Sequence, residues 1–432
     1  MSYAPSSSRQ RRIALFLCLA LGIGSLPAAP AAAAPTGLQF AGLFSGGSND
    51  QSGADQPKPK KKKRKRKGEL AVAPVPPPKP DMGTELRGGL AAYRASWGSL
   101  PQTKLAPGAT LKPGSTGKRV AALRERLGLP SGANYDEELA YRVRGYRIAH
   151  GLGESDLADA ATVASLNRGA DYYEELIAMN LDRLADVPKT PRYILVDAAS
   201  ARLWLYENGH PVDTMKVVVG TPTTPTPQFE TAIRWVEFNP YWNVPPDLVR
   251  RKIAPRYLKQ GKSYFNGSGY EVLSSWKEDA KVVDPSTVNW NAVARGSQKV
   301  RVRQLPGNDN AMGAVKFMML NPYGVYLHDT PNKELFSEEE RWRSNGCVRV
   351  EDADRLNRWI FNGAVPQSDE HGRVVTLDSA VPVYVTYLTA SPDENGRLVF
   401  RQDRYRRDAK AMAQFAKKGP METASRDDIK GM

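Results

Sequence analysis

The spacing of apolar residues along this 432-residue chain changes near residue 190, from a helical to a strand-like pattern. Before that point, apolar residues recur every three or four positions in "TGKRVAALRERLGL" and "DEELAYRVRGYRIAHGLG". After it, "RYILVDAASARLWLYENGHPVDTMKVVVG" holds three short β-rich runs with a turn at "ENGH". Because one segment cannot satisfy both periods, the chain must contain different kinds of domain. We therefore predict a multi-domain α+β protein.

The N-terminus has the organisation of an export signal. Arg9, Arg11 and Arg12 precede the apolar run 13–26, and small residues that suit a signal peptidase follow it. The run is short for a membrane span. We predict that residues 1–34 are a signal peptide; the alternative is an uncleaved N-terminal anchor.

Residues 35–82 are rich in Gly, Ser, Pro and Lys, a composition that cannot bury enough apolar surface to fold. We predict a disordered linker. Its basic run 58–67 supplies nine of the fifteen net positive charges of the chain, so the charge is not a general nucleic-acid-binding surface. In an exported protein we expect no nucleic-acid partner. The run either tethers the chain to an anionic envelope surface or is simply a solvated charge run.

The helical pattern places Val120, Leu123 and Leu127 on one face of a first helix. A second helix offers Leu139, Val143, Tyr146 and Ile148 for packing, and "DAATVASLN" gives a short third one. An amphipathic helix in 171–189, strands in 190–390 and a charged C-terminal extension follow. The remaining predicted boundaries are a scaffold or linker segment at 83–112, the helical domain at 113–170 and the extension at 391–432, frayed from about 404.

The stretch 246–300 interrupts the strand pattern with polar, helix- and loop-like sequence. A connection of this length is usually functional or a small subdomain.

Cys347 is the one cysteine that would remain after removal of the signal peptide, because Cys18 lies in the apolar run. An intramolecular disulfide is then impossible, and an unpaired thiol in an oxidising compartment needs a reason. Two interpretations stay open on these grounds: a small buried hydrophobe and a nucleophile.

The surroundings "SNGCVRV" suit a nucleophile. Gly346 permits a tight backbone turn and close approach of a substrate, and N–H groups near Gly346 and Cys347 could bind an oxyanion. Arg349 would favour a thiolate or hold a carboxylate. Of the histidines, His328 at the end of "GVYLHDT" is the best candidate base, with Asp329 or a backbone carbonyl fixing its tautomer. The alternative is a core histidine beside an unrelated thiol. We expect His150, His210 and His371 to be structural or incidental.

"GVYLHDTP" followed by "SNGCVRV" resembles the catalytic signature of the YkuD-type L,D-transpeptidases. "VVVGTPTTPTPQF" resembles the early Thr-Pro-rich turn of that domain. "FNPYWNVPPDLV" and "LPGNDNAMGAVKF" resemble motifs of its large periplasmic subgroup, and residues 113–170 resemble a three-helix peptidoglycan-binding domain. The resemblance covers about 190–390 and, more weakly, the chain from 110.

The resemblance implies a β-rich catalytic domain with a capping subdomain at about 246–300, and a periplasmic enzyme without metal or cofactor. It implies that Cys347 attacks a peptidoglycan stem tetrapeptide, that His328 transfers the proton, and that an amine of a second, diaminopimelate-type stem completes a 3→3 cross-link. Gly346 would belong to the oxyanion loop. The candidate substrate-binding residues are Arg349, Asn345, Ser344, Tyr326, Trp242 and Asp329; for Trp242 and Tyr326 a role in the sheet core is the alternative.

The chain departs from the family pattern at Asn345, where many members have a second histidine. We expect activity with His328 as the sole base. Two alternatives remain: the same thioester with another acceptor (water, a free D-amino acid or a protein lysine), and a non-enzymatic wall-binding protein.

Overall fold

The computed structural model describes residues 79–185, 187 and 190–417. The predicted signal peptide, the basic run 58–67 and nearly all of the predicted linker lie outside these residues. All described residues belong to one unit, Pro74–Met432. Within them, no helix combines the length and the apolar character needed to cross a membrane.

A nine-stranded sheet carries the part of the chain that resembles the catalytic domain. Its strands follow the order β11-β3-β12-β10-β9-β4-β13-β1-β2. They are β1 (Arg192–Asp197), β2 (Arg202–Glu207), β3 (His210–Gly220), β4 (Phe229–Phe238), β9 (Val315–Met319), β10 (Leu327–His328), β11 (Trp342–Ser344), β12 (Val348–Val350) and β13 (Arg373–Thr386). The strands are rich in apolar residues. β9 alternates buried and half-buried residues, whereas β1 and β2 are buried on both faces.

Strand β3 closes this sheet on itself. Its first part pairs with β2, from Glu207↔His210 to Arg202↔Lys216, and its last part pairs with β12 and β11. The enclosed core contains Val217, Phe317, Leu327 and Val348, all fully buried, together with α10 (Ala353–Ile360). The mixed helix-and-strand fold with a β-rich domain agrees with the predicted α+β class.

Between β4 and β9 the chain forms an insertion with its own core. A four-stranded sheet in the order β5-β8-β6-β7 packs with short helices around Phe265 and Trp290. Its elements are β5 (Trp242–Val244), α6 (Pro246–Leu248), a π-helical turn (Val249–Ile253), α7 (Ala254–Gln260), α8 (Lys262–Ser268), β6 (Tyr270–Leu273), β7 (Val282–Val283), a 3₁₀ turn (Pro285–Thr287), α9 (Trp290–Arg295) and β8 (Arg301–Gln304). The polar stretch that the sequence placed at 246–300 is thus a folded subdomain that includes strands.

Three helices precede the sheet and enclose a separate core. They are α2 (Lys118–Arg126), α3 (Glu137–Ala149) and α4 (Ala160–Arg168). Asp136 and Asp159 cap α3 and α4 by accepting hydrogen bonds from backbone N–H groups. The predicted inward residues Val120, Leu123 and Leu127 are fully buried. The expectation for Ile148 was wrong: it is half exposed, because Tyr146 and Val143 already fill the inner face of α3.

Two further helices join these parts. Helix α1 (Met82–Ala95) lies in the segment predicted as scaffold or linker, and α5 (Ala170–Ala185) corresponds to the predicted linker helix. They pack against the strands β14 (Ala390–Pro392) and β15 (Leu398–Phe400) and against α11 (Asp408–Lys417). The prediction that the chain frays from about 404 was wrong for the described part: Asp408 is buried, and Tyr405 packs on the main core.

His150 ends α3 inside an aromatic cluster. Its ring stacks on Tyr146 and Phe400 with centroids 3.8 and 5.2 Å apart, and Nδ1 lies 2.8 Å from the carbonyl of Tyr146. Nε2 has no partner among the described residues. Burial lowers the pKa of His150 to about 3, so the ring stays neutral in the folded protein.

We therefore expect His150→Phe to stabilise the protein in acid. Below pH 6.5 the unfolded chain binds a proton that the folded chain excludes, so stability falls as pH falls. Between pH 7 and pH 5 this costs about 2 kcal/mol, which the variant avoids. Denaturant unfolding of both proteins at the two pH values measures this. At pH 7 the difference in the free energy of unfolding between the two proteins measures the change in packing alone. If both proteins lost the same stability between pH 7 and pH 5, the assignment of His150 as a neutral buried ring would be contradicted.

Candidate active site

The parallel pair β10–β12 brings the predicted catalytic residues together. Leu327 pairs with Val348 and His328 with Arg349. Leu327 and Val348 point into the core, so the alternation of strand side chains puts Tyr326, His328, Cys347 and Arg349 on the opposite face. A separation of 19 positions in sequence thus becomes an offset of two residues between adjacent strands.

His328 is held as a neutral imidazole. Its ring is almost completely buried, and Nδ1 lies 2.5 Å from the carbonyl oxygen of Asp329. This contact makes Nδ1 the protonated nitrogen and leaves Nε2 as the basic one. Burial, reinforced by the positive charge of Arg349, lowers the pKa of His328 to about 3. The ring is therefore unprotonated throughout the neutral range, which is the form that a general base requires.

Cys347 is a partly buried free thiol. Its Sγ lies 3.9 Å from the carbonyl oxygen of Gly324. Burial raises the pKa of the thiol above its usual value, although hydrogen bonding by Tyr326 and the positive charges of Lys316 and Arg349 act in the other direction. The resting pair is therefore a neutral thiol and a neutral imidazole, and the thiol requires a base when it attacks.

The loop before the thiol contains a glycine with a positive φ. Gly346 has φ +116°, in the region that favours glycine. Its N–H donates to Ser344 Oγ at 3.1 Å, and that hydroxyl donates to the carbonyl of Cys347 at 2.6 Å. The Gly346 N–H is thus occupied and does not fit the predicted role of an oxyanion donor. The N–H of Cys347 has no partner among the described residues, so it is the available donor.

A row of charged side chains crosses the sheet at His328. The register Glu237↔Lys316↔His328↔Arg349 places them on neighbouring strands. Lys316 lies 3.5 Å from Glu237 and 4.5 Å from the ring centre of Tyr326. Arg349 has no ion-pair partner within the described chain, and its Nε is buried without a hydrogen bond. An unpaired arginine beside the thiol suits an anionic group of a ligand.

Of the other predicted site residues, Trp242 and Asn345 lie near Tyr326 and the thiol, whereas Ser344 and Asp329 hydrogen-bond to the surrounding loops. Trp242 lies on β5 of the insertion and hydrogen-bonds with Tyr326. Burial raises the pKa of Tyr326, and this hydrogen bond acts in the opposite direction. Asn345 is exposed beside the thiol. Ser344 is buried and holds the loop. The Asp329 carboxylate accepts from Ala314 N–H at 2.9 Å and pairs with Lys333, so it does not face His328.

Sequence reasoning missed Lys316, Glu237 and Gly324. For Lys316 a signal was present, since "AVKFMML" places one lysine inside an otherwise apolar strand. Nothing local to "WVEF" or "PYGVY" indicates that Glu237 and Gly324 reach the site, because strand pairing across the sheet brings them there.

Comparison with known proteins supports the class of domain that this fold and site suggest. Residues 191–383 match the YkuD family, described as the L,D-transpeptidase catalytic domain. A curated Haemophilus influenzae protein, named "Putative L,D-transpeptidase", is 33% identical over 237 residues, covering 53% of this chain and 47% of that protein. The chain thus spans about half the length of this relative. Residues 191–383 carry a YkuD-type L,D-transpeptidase catalytic domain.

Solved structures give weaker likenesses. An L,D-transpeptidase from Mycobacterium smegmatis aligns with a TM-score of 0.23 and 13% identity, covering 45% of this chain and 58% of that one. The C442S variant of the Enterococcus faecium L,D-transpeptidase aligns with a TM-score of 0.22 and 16% identity, covering 45% and 50%.

Proposed function

We propose that this protein is a peptidoglycan L,D-transpeptidase that joins the third residues of two stem peptides through a cysteine thioester. The observation that supports the proposal is the register of β10 and β12, in which Cys347 and His328 lie on the same face of adjacent strands and diagonally from each other. Such a pair can deprotonate a thiol during attack on an amide.

In the first half-reaction Cys347 Sγ attacks the carbonyl between the third residue and the terminal D-Ala of a tetrapeptide stem. Nε2 of His328 takes the thiol proton and passes it to the departing amine. The N–H of Cys347 binds the oxyanion. The C–N bond breaks, D-Ala leaves as a free amine, and a thioester remains on Cys347.

In the second half-reaction a side-chain amine of a second stem attacks the thioester. His328 accepts a proton from that amine and returns one to the sulfur as the C–S bond breaks. Arg349 binds a substrate carboxylate, while Asn345, Tyr326 and Trp242 line the approach to the thiol. Nothing in this sequence of steps requires a redox change.

Purified tetrapeptide muropeptides test the acceptor. A transpeptidase yields a dimer lighter than two substrates by one alanine. Water as acceptor would yield tripeptide alone, an added D-amino acid would yield an exchanged tetrapeptide, and anchoring would add the stem to a supplied envelope protein. Mass spectrometry separates these products. A chain that leaves the muropeptides unchanged and forms no adduct with a carbapenem would be a wall-binding protein instead.

We further propose that the protein acts in the periplasm and that the helical unit α2–α4 binds peptidoglycan. The predicted signal peptide supports the location, and the likeness of residues 113–170 to a peptidoglycan-binding domain supports the second role. An anionic envelope surface remains the proposed partner of the basic run 58–67.

A further inference from the structure

Thr226 contacts the catalytic loop from the turn that follows β3. Its side chain is completely buried. Its hydroxyl donates to the carbonyl of Gly346 at 2.8 Å and accepts from the N–H of Gly220 at 2.9 Å. No feature of the mechanism described above uses this residue.

The carbonyl that Thr226 holds belongs to the same peptide group as the N–H of Cys347. A trans peptide group is planar, so its C=O and N–H point in opposite directions. The described chain contains no cis peptide bond. Fixing the carbonyl of Gly346 on one side therefore fixes the direction of the Cys347 N–H on the other. Without that contact, the loop could rotate about Gly346, the residue with the fewest steric restrictions.

A second layer holds the turn itself. Tyr405 Oη donates to the carbonyl of Gly220 at 2.7 Å, and Arg407 donates to the carbonyl of Thr226 at 2.9 Å. The segment that carries them is closed by Asp403, which accepts from the N–H groups of Arg407 and Asp408. This C-terminal segment, 403–408, lies beyond residues 191–383, which match the catalytic family.

We propose that Thr226 is a positioning residue that aims the N–H of Cys347 at the oxyanion, and that the C-terminal segment 403–408 keeps Thr226 in place. This inference rests on the proposed acyl transfer. The positioning role affects only reactions in which the thiol attacks a carbonyl and an oxyanion develops. A displacement at a saturated carbon develops no oxyanion and should not depend on Thr226.

Two reagents separate this role from a structural one. A carbapenem acylates a thiol through a tetrahedral oxyanion, whereas iodoacetamide alkylates it without one. In Thr226→Val, which loses the hydroxyl, we expect carbapenem acylation to slow about 10- to 100-fold while alkylation stays within about twofold of the unchanged protein. Thr226→Ser, which keeps the hydroxyl, should restore acylation. Stopped-flow absorbance and intact-protein mass spectrometry provide the two rates.

Tyr405→Phe removes the hydrogen bond from Tyr405 to the carbonyl of Gly220 and so tests the contacts that hold Thr226 in place. It also provides a test of the proposal if Thr226→Val does not fold. We expect a several-fold slower acylation with unchanged alkylation. Tyr135→Phe is the matched control, because its hydroxyl also donates to a backbone carbonyl, that of Asp156 at 2.6 Å, within the helical unit. It should lose similar stability and no acylation rate.

The outcomes are distinct. If the unchanged protein is not acylated, the proposed function fails. If it is acylated and Thr226→Val and Tyr405→Phe react at the same rate, the positioning role is refuted. Parallel losses of acylation and alkylation would also refute it, since they would indicate a disturbed thiol.

Discussion

Cys347→Ala is expected to abolish both carbapenem acylation and cross-linking. Loss of the nucleophile from an enzyme that forms a covalent intermediate lowers the rate by about 10⁴-fold or more, because the remaining groups can only bind and polarise the carbonyl. The sulfur contacts the carbonyl oxygen of Gly324 at 3.9 Å and hydrogen-bonds with Tyr326; because a thiol forms only weak hydrogen bonds, the fold should lose little stability. Intact-protein mass spectrometry after carbapenem exposure and muropeptide product analysis provide the two measurements.

Cys18→Ala in the full-length chain is the matched control, because it removes the other cysteine of the sequence. This variant should be acylated at the rate of the unchanged protein. An adduct on Cys347→Ala, or full cross-linking by it, would overturn the assignment of the nucleophile.

His328→Asn is expected to slow acylation by about 10²- to 10⁴-fold at neutral pH, the usual contribution of general base catalysis. Asparagine is the informative substitution because its amide nitrogen can occupy the position of Nδ1 and still donate to the carbonyl of Asp329. The variant thus keeps the structural hydrogen bond and loses the basic nitrogen.

The pH dependence distinguishes the two proteins. Because burial lowers the pKa of His328 to about 3 and raises that of the Cys347 thiol, the unchanged protein reacts from a neutral pair. Its acylation rate should be nearly constant from pH 5 to pH 8. In His328→Asn the thiol must ionise unaided, so the rate should rise about tenfold per pH unit. A rate for the unchanged protein that falls tenfold per unit below pH 6.5 would mean that His328 titrates normally.

The sequence was sufficient to propose Cys347 and His328 as candidates, since each stands in a recognisable motif next to a strand. It could not indicate how Asp329 acts. Its carbonyl and its carboxylate were both plausible partners of the imidazole, and only the tertiary contact with Ala314 shows that the carboxylate is engaged elsewhere. Similarly, the hydroxyl of Ser344 was available to a substrate until the loop geometry turned it towards Gly346.

The contacts that hold the catalytic loop could not be predicted from the sequence for a different reason. Thr226 and Gly346 are 120 positions apart, and Tyr405 and Gly220 are 185 apart. Neither pair belongs to a periodic pattern, because Thr226, Gly346 and Tyr405 lie outside the helices and strands. The charged composition after residue 404 favoured a frayed end, whereas the tertiary hydrogen bonds of Tyr405 to Gly220 and of Arg407 to Thr226 override that local preference.

The insertion between β4 and β9 leaves and rejoins the main sheet at neighbouring points. Its first and last strands are antiparallel partners, with Trp242 opposite Gln304. Just beyond them, the buried amide of Asn310 donates to the carbonyls of Pro240 and Leu305 at 3.0 and 2.8 Å and ties the two ends together. The two ends of the insertion therefore connect to the main sheet at one place. A change of length within the insertion, away from these ends, need not alter the register of β10 and β12.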